Sequence, residues 1–342
     1  MGNSERDHLR LRFGKKPAKP AKQEASPQET LPIIKLSEMN LAEGPDLTFG
    51  YGEMTRPSPR DGEVIDNKYQ IIGPLGSGGA SEVYLCERLM VGDRVALKVL
   101  NTTATAAPDK AWRFHLEAQT TASIKHPNVI TIHDFDFTEK GTPFIVMELL
   151  RGQTLFGELK RQGRFPLRRA IQIITPICSA LNVAHLRNII HRDLKPANVV
   201  LHRMDDGAEV VKLIDFGIAK RHMDIASMNT APGLLVGTPA YMAPERCLEE
   251  PYDARADIYN LGLILYEMVA GRHPFVAKTV TAMMAKQISE EPPSLIKQVP
   301  DLPPEIEAVI FKALAKSPDK RYSTTLEFAD ELNNSFFAPW LH

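Results

Sequence analysis

Eight consecutive residues, His191-Arg192-Asp193-Leu194-Lys195-Pro196-Ala197-Asn198, put a carboxylate, a cation and an amide into one proline-containing loop. Asp193 could accept the proton of a hydroxyl. Lys195 could neutralise charge on a phosphoryl group in transfer, and the side-chain oxygen of Asn198 suits a hard divalent cation such as Mg²⁺. Asp215, before Phe216 and Gly217, is by itself as good a turn residue as a metal ligand. Beside Asn198 it becomes a second oxygen donor. Lys98 ends the apolar run Val95-Ala96-Leu97. A lysine there either snorkels from a sheet edge or pairs with Glu117 and holds phosphate oxygens. The stretch Leu75-Gly76-Ser77-Gly78-Gly79-Ala80-Ser81-Glu82-Val83 offers backbone that can approach a phosphate closely. A glycine-rich hairpin without a ligand has the same composition. Ser81 occupies the third glycine position of G-x-G-x-x-G, and no helix follows, which excludes a dinucleotide-binding turn.

These groups need elements to hold them. Apolar alternation and glycine-containing turns predict strands over residues 69–74, 82–88, 94–100, 129–137 and 142–149, with a helix over 109–125. Beyond Gly152 the periodicity becomes helical over 155–162, 167–186, 256–270, 280–289, 304–315 and 325–333, with short strands at 199–201 and 211–214. Pro176 inside the second of these helices should kink or break it. Five strands and one main helix followed by a mostly helical part give an α+β, bilobed architecture with a cleft between the lobes.

The 342 residues leave room for two domains or one bilobed one. A formal net charge of −1 gives no whole-chain attraction to nucleic acid or a membrane surface. Three scattered cysteines, Cys86, Cys178 and Cys247, show no metal spacing and read as reduced thiols. No apolar run reaches the roughly 18 residues of a membrane span, and the start has no secretory apolar core. Residues 1–62 differ from the rest. The first 22 carry seven basic against two acidic residues, and prolines recur from Pro17 to Pro59. This composition predicts a disordered basic, proline-rich tail. Its one apolar island is Leu31–Leu36.

In order and spacing, the glycine-rich loop, Val95–Lys98, Glu117, His191–Asn198, Asp215–Gly217 and Ala243-Pro244-Glu245 resemble the signature of the protein kinases. The resemblance is closest to the eukaryotic-type (Hanks-type) serine/threonine kinases of bacteria. It covers residues 69–335, implying a β-rich N-lobe at 69–149 and a helical C-lobe at 152–335. It implies ATP and Mg²⁺ as cofactors (with Mn²⁺ as a substitute metal) and protein serine or threonine hydroxyls as acceptors. By the same resemblance Lys98 would hold the α- and β-phosphates and pair with Glu117. Asp193 would be the catalytic base, Lys195 would face the γ-phosphate, and Asn198 and Asp215 would hold metal. Met147 would guard the back of the adenine pocket. The backbone of Glu148 and Leu150 would read the adenine edge, and Val83, Ala96 and Val200 would sandwich the ring. Thr238 would bridge toward Asp193 and Lys195. Ala197 replaces an acid that some relatives use to select arginine, which argues against basic substrates.

The resemblance also implies regulation. Arg192, Lys220 and Arg113, the last one helical turn before Glu117, would converge on a phosphate at Ser227 or Thr230. That fits autophosphorylation in a transient homodimer and a cytoplasmic setting. Glu245 and Arg321 would form a tie within the C-lobe. Asp257 would serve both as a helix N-cap and as anchor of the catalytic loop. His191 and Phe216 would stack in a spine whose helix-borne member is Thr121, small enough to loosen it. Asn188 would take a left-handed conformation. The competing readings are a pseudokinase-type nucleotide-binding scaffold, which the intact Lys98, Asp193 and Asp215 disfavour, and a small-molecule kinase, which would lack a segment like 237–245.

Overall fold

The computed structural model describes residues 60–78, 80–103, 105–216 and 238–337. The N-lobe is a six-stranded antiparallel sheet in the order β1-β2-β3-β4-β6-β5. Its strands are β1 Val64–Ile65, β2 Tyr69–Ser77, β3 Ser81–Arg88, β4 Arg94–Leu100, β5 Ile132–Phe137 and β6 Pro143–Glu148. Helix α1, Pro108–Ser123, packs on β5 and β6. Five of the strands were expected. β1 adds a sixth, pairing Val64 with Gln70, and moves the folded boundary upstream of the expected 69. Arg60 pairs with Glu63 at 2.7 Å, so the last residues assigned to the tail take part in described structure.

Alternation explains the sheet. Tyr69, Ile71, Tyr84, Cys86, Val95, Leu97, Val99, Phe144 and Val146 point to one face and form one apolar cluster. Val83, Ala96 and Met147, on the other face, belong to a different cluster that faces the cleft.

The hinge after Glu148 runs into β7, Gly152–Thr154, which begins a three-stranded sheet with β8, Val199–Arg203, and β9, Glu209–Leu213. Gly152 has φ +130°, and a Cβ there would lie 2.1 Å from the Leu201 carbonyl oxygen. Only glycine lets the hinge dock on β8. The C-lobe helices are α2 Leu155–Gln162, α3 Leu167–His185, α4 Pro244–Cys247, α5 Arg255–Ala270, α6 Val280–Ser289, α7 Pro304–Ala313 and α8 Thr325–Phe337. Helix α5 is buried almost all round, and Gly271 closes it in the left-handed conformation. It is the post around which α3, α7 and α8 gather. α3 runs through Pro176 without a break. The proline frees only the carbonyl of Gln172, an exposed residue whose backbone water can satisfy.

Candidate active site

The loop 191–198 is held from below. Asp257, in the first turn of α5, accepts hydrogen bonds from the backbone N–H of His191 at 2.8 Å and of Arg192 at 3.2 Å. It also pairs with His185 Nε2 at 2.7 Å. Burial would raise the Asp257 pKa, but the His185 partner and the donated N–H groups bring it below the ordinary value. Asp257 therefore anchors the loop as expected. It is not the N-cap, because the helix begins two residues earlier at Arg255, with Ala254 in the cap position. These bonds hold Arg192 at φ +68°, a left-handed conformation unusual for arginine. Asn188 takes its expected left-handed conformation at φ +58°.

Two histidine nitrogens then fix Asp193. The Asp193 N–H donates to His191 Nδ1 at 3.3 Å, and His191 Nε2 lies 3.3 Å from the Ile214 carbonyl. His191 is fully buried and its pKa is lowered by that burial, so the ring is neutral with its proton on Nε2. Its ring stacks on Phe216, centroids 4.6 Å apart. Asp193 Oδ2 meets Lys195 Nζ at 3.1 Å and Asn198 Nδ2 at 3.2 Å. Asn198 Nδ2 also donates to the Asp193 carbonyl at 2.8 Å, which leaves Asn198 Oδ1 as the outward oxygen.

The sheet β8–β9 brings Asp215 alongside. The N–H of Ile214 donates to the Asn198 carbonyl at 2.9 Å, so Asp215 and Asn198 are neighbours although 17 residues apart. Asp215 has φ +52°, a second strained residue in the site. Its Oδ1 meets Lys98 Nζ at 2.8 Å, and Glu117 Oε1 meets the same ammonium at 3.0 Å. Burial alone would push the Lys98 pKa down, but the carboxylates of Asp215 and Glu117 outweigh it and raise it. Burial would raise Asp215, and the Lys98 charge overcomes it and lowers the carboxyl below its ordinary value. Lys98 and Asp215 are therefore both charged at neutral pH.

Lys98 thus sits between the carboxylates of Glu117 and Asp215. Asn198 Oδ1 and the free oxygen of Asp215 make a pair of hard oxygen donors beside it. That donor set fits a magnesium ion, which takes few protein ligands and completes its shell with water and phosphate.

Above these groups Val83, Ala96, Met147, Leu150, Val200, Ile130 and Ile214 form one buried cluster, with Leu75 packed against it. It contains every apolar residue expected around adenine. Ile130 and Ile214 were missed, since nothing local distinguishes them from ordinary strand residues. The Glu148 N–H is committed to the Thr131 carbonyl at 3.0 Å. Its side chain is tied to Lys212 and to the Thr131 N–H, both at 2.7 Å. The Leu150 N–H makes no hydrogen bond among the described residues, and the residue belongs to the cluster. In the glycine-rich loop, Gly78 N–H closes the β2–β3 turn on Ser81 O at 2.8 Å, and Gly79 lies outside the described residues.

The regulatory set is described only in part. Arg113 is exposed on α1. The buried Nε of Arg192 has no hydrogen-bond partner among the described residues. Lys220, Ser227 and Thr230 lie outside them, as does the side chain of Thr238, which begins the 3₁₀ turn Thr238–Tyr241. Arg246 was missed: it donates to the Arg192 carbonyl and flanks Tyr252 together with Arg192. Thr121 is buried on α1, and the Lys98–Glu117 pair is made despite its small size. Glu245 and Arg321 form the expected tie, a buried two-point ion pair at 2.8 and 2.7 Å.

Residues 69–337 match the family described as protein kinase domain. The chain is 38% identical over 271 residues to the serine/threonine-protein kinase PknB of Mycolicibacterium smegmatis, covering 78% of this chain and 43% of that one. It is 39% identical over 266 residues to Pkn1 of Myxococcus xanthus, covering 77% and 38%. The chain thus spans less than half the length of these relatives. The crystal structure of the Mycobacterium tuberculosis PknI kinase domain superposes with a TM-score of 0.63 at 30% identity, over 81% of this chain and all of that one. With its β-rich N-lobe, its helical C-lobe and Lys98, Glu117, Asp193, Asn198 and Asp215 brought together, this chain belongs to the protein kinase family, among relatives of the bacterial Hanks type.

Proposed function

We propose that the chain is an ATP-dependent serine/threonine protein kinase. The observation that carries this reading is the convergence of Lys98, Glu117, Asp193, Lys195, Asn198 and Asp215 beneath one apolar cluster. The cluster of Val83, Ala96, Met147 and Val200 takes the adenine ring, and the unbonded Leu150 N–H meets its edge. The Lys98 ammonium, held by two carboxylates, clamps the α- and β-phosphates. Asn198 and Asp215 would hold Mg²⁺, which supplies charge neutralisation at the phosphate oxygens. Asp193, oriented through the His191 Nδ1 contact and the Asn198 amide, accepts the proton of the incoming hydroxyl. Lys195 offsets charge on the phosphoryl group as it moves.

Arg192, with its unsatisfied Nε, is poised for a phosphate on the segment after Asp215, and Ser227 and Thr230 are the proposed acceptors of autophosphorylation between two copies. Among the described residues no helix is long and apolar enough to cross a membrane. Burial raises the pKa of Cys178 and of Cys86 and Cys247, the last two to about 12, which suits inert thiols in a reducing cytoplasm.

The test is incorporation of label from γ-labelled ATP into the chain and into a general acceptor protein. Wild type labels serine and threonine, whereas Asp193→Asn binds nucleotide and labels roughly 10²–10⁴-fold more slowly. Equal labelling by the variant would refute the assignment.

A further inference from the structure

Lys316 follows helix α7, and its ammonium is drawn back from water. Burial lowers its pKa from 10.5 to about 8, against Glu291 and Glu290, which raise it, and with Arg321, which lowers it further. The Nζ lies over the ring of Phe275, 4.5 Å from the centroid, and over that of Tyr259 at 5.6 Å. Its hydrogen-bond acceptor among the described residues is a hydroxyl and not a carboxylate: Tyr259 Oη, at 3.2 Å. The catalytic scheme above makes no use of this lysine.

The hydroxyl leads inward. Tyr259 on α5 and Gln287 on α6 are both fully buried, and Tyr259 Oη donates to Gln287 Oε1 at 2.6 Å. Gln287 Nε2 donates to the carbonyl of Ala240, in the turn Thr238–Tyr241. Every direction in this file is set from its far end. A carbonyl only accepts, so Gln287 presents its amide nitrogen to Ala240 and its oxygen to Tyr259. Tyr259 then spends its one proton on Gln287, and its oxygen is left to accept from Lys316.

The turn at the end of the file lies against the catalytic loop. Asn260, next to Tyr259 on α5 and also buried, donates through Nδ2 to the carbonyl of Tyr241 and to that of Leu194, the latter at 3.3 Å. Leu194 stands between Asp193 and Lys195, so the turn and the loop hang from one amide. The adjacent carbonyls of Ala240 and Tyr241 are thus held by separate side chains, one line ending at Lys316 and the other at the catalytic loop.

We propose that Lys316 is a positioning residue for the protein acceptor, acting through Tyr259 and Gln287 to hold the turn Thr238–Tyr241 against the catalytic loop. The proposal rests on the kinase reading above, with the acceptor chain lying along this turn so that its hydroxyl reaches Asp193. Loss of the Lys316 donor leaves the buried Tyr259 oxygen without one, and a buried polar atom left unpaired weakens the rest of its network. The turn then loosens where the acceptor lies. None of the residues assigned to ATP belongs to the file, so nucleotide binding is spared.

Two variants break the file while keeping its packing. Lys316→Met keeps an unbranched stem against Phe275, and Tyr259→Phe keeps the ring. Transfer of label to dephosphorylated casein is measured in full-length wild type, both single variants and the double variant, with casein and ATP varied in turn. Hydrogen exchange of the peptide covering residues 238–243 is followed by mass spectrometry in the same proteins. The expected result for Lys316→Met is a KM for casein raised about three- to tenfold, an unchanged KM for ATP and faster exchange at 238–243. The double variant should match Tyr259→Phe alone, since Lys316 acts through that hydroxyl. Unchanged exchange in Lys316→Met would overturn the proposal. So would effects on casein that add in the double variant, or KM values for ATP and casein that rise together. A wild type that labels neither casein nor itself would overturn the kinase reading instead, and the exchange comparison would still decide whether Lys316 holds the turn.

Discussion

Removing the Glu245 carboxylate should destabilise the C-lobe by an amount the structure lets one work out. Arg321 donates to both Glu245 oxygens and to the carbonyls of Ala315, Arg255 and Lys316. Its side chain is fully buried and that of Glu245 is 4% exposed. In Glu245→Ala the three carbonyls remain but the buried guanidinium loses its counter-charge. Breaking one partner of such a pair costs about 3–5 kcal/mol. A unit spanning residues 69–337 unfolds with an entropy of about 0.57 kcal/mol/K, so the melting temperature should fall by about 5–9 °C. Thermal unfolding by circular dichroism measures it. The double variant Glu245→Met/Arg321→Leu should recover part of the loss, since the orphaned charge is gone. A fall under about 1 °C in Glu245→Ala, or a double variant worse than the sum of the two single ones, would refute the reasoning.

The other predictions concern the cleft and a buried carboxyl. Ala96→Leu adds bulk to the fully buried floor of the adenine-facing cluster and should raise the KM for ATP roughly tenfold or more, at a cost in stability of about 1–3 kcal/mol, measured by steady-state kinetics and melting. Glu117→Gln removes one of the two carboxylates on Lys98 and should lower kcat/KM for ATP more than it lowers the melting temperature. Burial raises the Glu267 pKa from 4.5 to about 7, with the Tyr241 hydroxyl as its one side-chain donor among the described residues. The folded state then holds a proton that the unfolded state has lost between those values, so stability falls as pH rises from about 4.5 to about 7. Glu267→Gln should flatten that decline in denaturant melts taken across the window.

Much of the site was legible because its residues sit in short runs whose types match their chemistry. Lys98, Asp193, Asn198 and Asp215 each announce a charge or oxygen donor where apolar or turn residues would otherwise stand. The adenine-facing residues were legible only through resemblance, since Val83 and Ala96 look like any strand residues. What escaped has physical reasons. β1 is two residues long and α4 four, too short for any periodicity. Asp257 looks like a cap in sequence, but Arg255 has already entered the helix and the carboxylate is spent on the loop from α3 to β8. The tie from Glu148 to Lys212 joins residues 64 apart and is invisible to local pattern. The same holds for Arg246, whose importance comes from the carbonyl of Arg192.

The β8–β9 hairpin has consequences for how such an enzyme can diversify. Its root joins Asn198 to Ile214, and its ladder fixes that join by register, from Val199 opposite Leu213 outward. The tip, residues 204–208, is an exposed turn. A lengthened or shortened tip leaves the root in register, so chemistry at one end is insulated from change at the other. The tip is therefore where lineages could vary without retuning the catalytic residues.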